Sequence, residues 1–135
     1  MEEKIQEAAR LHQQGFNCAQ AVALPFCEEL GMDRAAAMRA LEGFGAGMGG
    51  RTLACGALSG AVFVAGLKHS DGNLQAPASK QRTYAASKAI VDAFVAQCGA
   101  SSCEDILGLK TGTPLLSCPM CIELGVRLAY QTLAD

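Results

Sequence analysis

The sequence predicts an all-α protein: a compact bundle of five or six helices with one glycine-rich connection. Three observations predict it. No segment shows the period-two alternation of a half-buried strand, while several carry apolar residues at helical spacing. Helix-capping residues recur along the chain, with Asn17, Asp33, Thr52 and Ser102 each preceding a helix-compatible run. Hydrophobic residues make up 50% of the chain, yet aromatics only 5% and Trp is absent. The core must therefore be built from Ala, Leu, Val, Met and Cys, small side chains that let helices pack closely. At 135 residues the whole chain, 1–135, is expected to form one domain.

The first helix is expected over Glu2–Gln14, with Ile5, Ala8, Ala9 and His12 on one face and Gly15 as its stop. His12 is read as a solvated or hydrogen-bonded helical histidine rather than a ligand. Asn17 caps a second helix, Cys18–Leu30, which Pro25 should kink. Cys27 lies well past its first turn and reads as a small buried residue. Gly31 closes that helix, and Asp33 caps the third, Arg34–Glu42. The glycine run from Gly43 to Gly50 follows, and Thr52 is expected to cap a fourth helix over Leu53–Lys68. On it Gly56 and Gly60 form a Gly-x-x-x-Gly face that admits the backbone of another helix. His69–Ala76 is polar and turn-rich.

Ser79–Gln97 is expected to be helical, with Tyr84, Ser87, Ile90, Val91, Phe94, Val95 and Cys98 on one stripe, and Cys98 as core. Ser102-Cys103-Glu104-Asp105 fits a capping box, so Cys103 begins a short helix that stops near Gly108. The last helix opens at Cys118-Pro119-Met120-Cys121 and runs to Leu133. Pro119 suits the first helical position, which makes Cys118 the cap.

Composition excludes several functions. The formal charge is −2 with a pI near 5.6, and no Lys/Arg cluster marks a nucleic-acid face. The longest apolar stretch, Leu53 to Leu67, is too short to span a bilayer and is broken by Gly56, Ser59, Gly60 and Gly66. The N-terminus lacks an apolar signal-peptide core, so a cytoplasmic location is expected. In a reducing compartment the 7 cysteines are better read as core fillers, metal ligands or reactive thiols than as a disulfide framework.

Five of the seven fall at predicted helix starts: Cys18, Cys55, Cys103, Cys118 and Cys121. Unpaired N–H groups and the helix dipole favour negative charge there, so a thiol is biased toward thiolate. Arg51 adds positive charge before Cys55. Cys118 and Cys121 form a Cys-x-x-Cys, a spacing that serves thiol–disulfide exchange or metal ligation. The βαβ pattern of a thioredoxin context is absent. Thiolates would accept zinc or an iron–sulfur cluster. Gly45 to Gly50 fits G-x-G-x-x-G, and Gly45 to Thr52 nearly fits a P-loop. Neither follows a strand, and Arg51 replaces the P-loop lysine, so nucleotide binding is set aside.

Asn17-Cys18-Ala19-Gln20-Ala21-Val22, the glycine run, Cys55-Gly-Ala-Leu-Ser-Gly60, Cys103 before Leu107-Gly108, and the final helix-start cysteine together resemble the small C_GCAxxG_C_C family. The resemblance covers nearly the whole chain. It implies a redox-active protein with four characteristic cysteines, which fall here on Cys18, Cys55, Cys103 and either Cys118 or Cys121. Related domains in larger redox proteins imply iron–sulfur binding, for which Cys18, Cys55, Cys103 and Cys121 would be the ligands. The expectation is a helical redox protein that uses these cysteines by thiol–disulfide exchange with a partner protein or by holding an iron–sulfur cluster. The alternatives are a structural four-cysteine zinc site, or a non-enzymatic module whose Ala/Gly-rich faces form a homodimer.

Overall fold

A computed structural model describes residues 1–134. It is all-α: α1 (Glu2–Gln13), α2 (Cys18–Cys27), α3 (Arg34–Glu42), α4 (Gly56–His69), α5 (Lys80–Cys98), α6 (Cys103–Leu107) and α7 (Cys118–Thr132). That is one helix more than the upper count expected, although every one of these segments, the short Cys103–Leu107 included, was expected to be helical. Among the described residues no helix is long and apolar enough to cross a membrane.

α4 is the central helix, packed against α2, α5 and α7; α2 and α7 also touch each other and α1, and α3 lies on α2. Small residues put α4 there. Gly56, Ala57, Gly60, Ala61 and Ala65 are all buried and give it narrow faces. A Cβ on Gly60 would lie 2.7 Å from the Ala19 carbonyl oxygen and 3.0 Å from Val22 Cβ. A Cβ on Gly125 of α7 would lie 2.8 Å from the Ala57 carbonyl oxygen. The three helices therefore meet almost backbone to backbone. The Gly-x-x-x-Gly face is filled by the chain's own α2, so a second copy would not meet it.

The caps explain where helices begin. Asn17 and Gln20 form a reciprocal capping box at α2, both bonds 2.9 Å. Asp33 accepts from the Ala36 N–H at α3, and Ser102 from the Asp105 N–H at α6. The regular part of α2 ends at Cys27, short of Leu30, because the chain tightens: the Leu30 N–H bonds the Cys27 carbonyl at 3.1 Å before Gly31 turns at φ +87°. On α5 only Ile90, Phe94 and Cys98 are fully inside, while Tyr84 and Val95 of the expected stripe are exposed. His69 belongs to α4 rather than to the loop. It is buried, with Nε2 3.0 Å from Thr132 Oγ1 on α7.

Candidate functional site

The site is built on the connection between α3 and α4. Ala46, Gly47, Met48, Gly49 and Arg51 all have φ between +52° and +90°, so the chain winds left-handed, and three of these residues are not glycine. Such strain persists only where surroundings enforce it. Here two close approaches do. Gly47 lies against Cys103, where a Cβ would come 2.6 Å from Cys103 Cβ. Gly45 lies against Asn17, whose Nδ2 donates to the Glu42 carbonyl at 3.0 Å.

Next the chain extends and pairs with the segment before α6. The Cys55 N–H donates to the Ser101 carbonyl and the Cys103 N–H to the Leu53 carbonyl, each at 2.8 Å, with Ala54 opposite Ser102. This single β-bridge sets two cysteine-bearing helix starts side by side. It also corrects the expected start of α4. Residues 53–55 are committed to the bridge, so the helix begins at Gly56 and Cys55, not Thr52, is the cap.

The other two cysteine-bearing starts come from α2 and α7. Cys18 is the first residue of α2, behind Asn17. At α7 the cap is Ser117, whose Oγ accepts from the Met120 N–H at 3.3 Å. Cys118 is then the first helical residue and Pro119 the second. The expectation that Cys118 caps α7 is corrected by one position: a serine hydroxyl is the stronger acceptor.

Cys18, Cys55, Cys103, Cys118 and Cys121 line one cavity of about 380 Å³, together with His12, Asn17 and Arg51. Cys55 and Cys121 are buried; Cys18, Cys103 and Cys118 are half-buried. Cys27 and Cys98 do not line it. All seven are free thiols.

Within the cavity the thiols engage across helices. Cys121 acts on the ionisation of Cys55, and Cys118 on that of Cys18. The two cysteines of the Cys-x-x-Cys are thus each turned toward a different helix. The Cys55–Cys121 pair ionises at Cys55. There the Cys121 thiol, and after it the Ala57 and Leu58 amides, favour the thiolate, which outweighs burial and lowers its pKa from 9.0 to about 6. Cys121 is held protonated by the same interaction and by burial. Cys18 is pushed up to about 12, chiefly by burial and then by Cys118. Burial also raises Cys103, with Cys55 and Cys118 adding to it; the Arg51 guanidinium opposes them. Arg51 therefore acts on Cys103, whereas the sequence suggested Cys55.

One residue has a different setting from the one expected. His12 is half-buried and lines the cavity, brought there because α1 packs on both α2 and α7. Cys98 is buried in the core, as helical spacing predicts, and burial raises its pKa.

The donors are all thiols, a set suited to zinc or an iron–sulfur cluster. Their placement does not show a site for a single ion. Among the described residues no three His, Cys, Asp or Glu side chains are disposed to hold one ion.

The sequence profile described as "Putative redox-active protein (C_GCAxxG_C_C)" matches residues 16–132. The chain belongs to the C_GCAxxG_C_C family. No curated protein and no solved structure matches it. In this C_GCAxxG_C_C protein the matched span contains all four cysteine-bearing helix starts and leaves the whole of α1 outside.

Proposed function

We propose that the protein is a thiol–disulfide exchange protein in which Cys55 is the attacking thiol and Cys121 the resolving one. One observation carries this reading: the buried Cys55 sulfur faces two backbone amides and the Cys121 thiol at the start of α4. An attacking thiol with a pKa near or below ambient pH is mostly thiolate, and a partner thiol must stand beside it to complete the exchange.

The exchange balances as follows. The Cys55 thiolate attacks one sulfur of a substrate disulfide. A bond forms between them, the substrate S–S bond breaks, and the other substrate sulfur leaves as a thiolate. Cys121 then gives up its proton to that thiolate or to solvent and attacks Cys55. The Cys55–Cys121 disulfide forms and the second substrate sulfur is released. Two electrons pass from the protein dithiol to the substrate disulfide, and the reverse sequence oxidises a substrate dithiol. Cys18, Cys103 and Cys118 complete the thiol-lined wall, and His12 and Arg51 are its ionisable and cationic groups.

The test is disulfide mapping. The reduced protein is treated anaerobically with a small disulfide, acid-quenched, alkylated and digested for mass spectrometry. The earliest link expected is Cys55–Cys121. A first link between Cys118 and Cys121, or alkylation of Cys55 no faster than of Cys27, would sink this assignment.

A further inference from the structure

The proposed exchange uses two of the five thiols around the cavity and leaves Cys18, Cys103 and Cys118. These three are arranged. Cys18 and Cys118 are neighbours in the cavity across α2 and α7, as Cys55 and Cys121 are across α4 and α7. Cys103 belongs to neither pair, yet it interacts with one member of each, Cys55 and Cys118. Its position is fixed by backbone: the 2.8 Å bond from its N–H to Leu53, and Gly47 packed where no side chain would fit beside its Cβ.

We infer that the cavity holds two dithiol couples, Cys55/Cys121 and Cys18/Cys118, and that Cys103 passes the disulfide from the first to the second. The inference rests on the exchange reading above. The relay needs no further oxidant, because each step makes one S–S bond and breaks one. The Cys103 thiolate attacks Cys55 of the Cys55–Cys121 disulfide, and Cys121 leaves and takes up a proton. Cys118, deprotonated, attacks Cys103 of the mixed disulfide, and Cys55 leaves as a thiolate. Cys18, deprotonated, attacks Cys118, and Cys103 leaves as a thiol. Two thiols are consumed and two regenerated, so the couple nearest the amides returns to its reduced state, ready for a second substrate disulfide.

Thiol chemistry gives the relay a direction. A disulfide is easier to reduce when one of its thiolates is stabilised. Cys55 has that stabilisation from the Ala57 and Leu58 amides, whereas burial and its neighbours disfavour the Cys18 thiolate. The disulfide therefore settles on Cys18–Cys118. Holding the sulfurs in one cavity makes every step intramolecular, which favours it over exchange between molecules.

The test follows where one disulfide goes. Fully reduced protein receives one equivalent of a dipyridyl disulfide without oxygen, and samples are acid-quenched over time, alkylated and mapped. In the unaltered protein the Cys55–Cys121 link is expected first. It is then replaced by Cys18–Cys118, with the total constant at one disulfide per chain. In Cys103→Ser and Cys103→Ala, which keep the Cβ that packs on Gly47, migration is expected to slow by roughly ten-fold or more. A Cys55–Cys121 disulfide that never leaves in the unaltered protein would overturn the relay and keep the exchange reading. Equally fast migration in both Cys103 variants would overturn the role of Cys103. If no Cys55–Cys121 link forms in any of the three proteins, the exchange reading itself falls.

Discussion

Gly60→Ala and Gly66→Ala make the same chemical change on α4 and are expected to move stability in opposite directions. At Gly60 the new methyl would stand 2.7 Å from the Ala19 carbonyl oxygen and 3.0 Å from Val22 Cβ, where ordinary contact begins at 3.4 Å. The oxygen is backbone within α2 and cannot rotate away, so the two helices must separate by several tenths of an ångström. Overpacking of this kind costs about 1–3 kcal/mol. Replacing a mid-helix glycine by alanine recovers about 0.5–1 kcal/mol, leaving a net loss centred near 1 kcal/mol, and up to about 2.5 kcal/mol, for Gly60→Ala. At Gly66 a Cβ meets nothing within 4 Å, so only the favourable part remains, and a gain of about 0.5–1 kcal/mol is expected. Urea unfolding under reducing conditions measures both, and a common m-value shows that the folded and unfolded states are comparable. Gly60→Ala as stable as the parent, or Gly66→Ala as damaging as Gly60→Ala, would refute the close α2–α4 packing on which the cavity depends.

The rate of Cys55 alkylation is expected to rise with an apparent pKa of about 6, and Cys121→Ala to move that midpoint upward by removing the main donor to the sulfur. Stability also depends on pH through these thiols. Cys55 is depressed from 9.0 to about 6, so its contribution is full above pH 9 and is lost as pH falls through 6. Cys18 is raised from 9.0 to about 12, so its contribution is full below pH 9 and is lost as pH rises toward 12. Thermal melts across pH in the presence of a phosphine reductant should show the acid-side rise diminished in Cys55→Ser and the alkaline fall diminished in Cys18→Ser. Asn17→Ala removes the α2 cap and the bond to the Glu42 carbonyl. It should destabilise by about 1–2 kcal/mol in urea unfolding. Gly47→Ala combines a left-handed φ of +57° with a 2.6 Å approach to Cys103 Cβ. A changed Cys103 alkylation rate is expected, and a rate identical to that of the parent would argue against this contact.

Much of the fold was legible in local chemistry. Asn17, Asp33 and Ser102 are caps because their short polar side chains satisfy the first orphan amides, an interaction complete within four residues. The all-α class follows from the same short-range signals. Where the reading missed, a distant partner decided. Thr52 looks like a cap only while Leu53–Cys55 is imagined free; its pairing with Ser101–Cys103 moves the start of α4 to Gly56. Cys118 looked like a cap because Pro119 fits a first position, but Ser117 takes that role.

What the sequence determined by itself is the positioning of five cysteines at helix starts and the small residues that permit close packing, since both are written within a few residues of one another. What only the tertiary structure decided is which sulfur meets which. Cys121 turns to Cys55 rather than to its neighbour in the Cys-x-x-Cys, and Cys103 stands between two pairs. Those neighbours come from helices far apart in the chain, and their distances are fixed by the near-contact of α2, α4 and α7 at Gly60 and Gly125. No local pattern encodes that contact, because it exists only once the helices have packed.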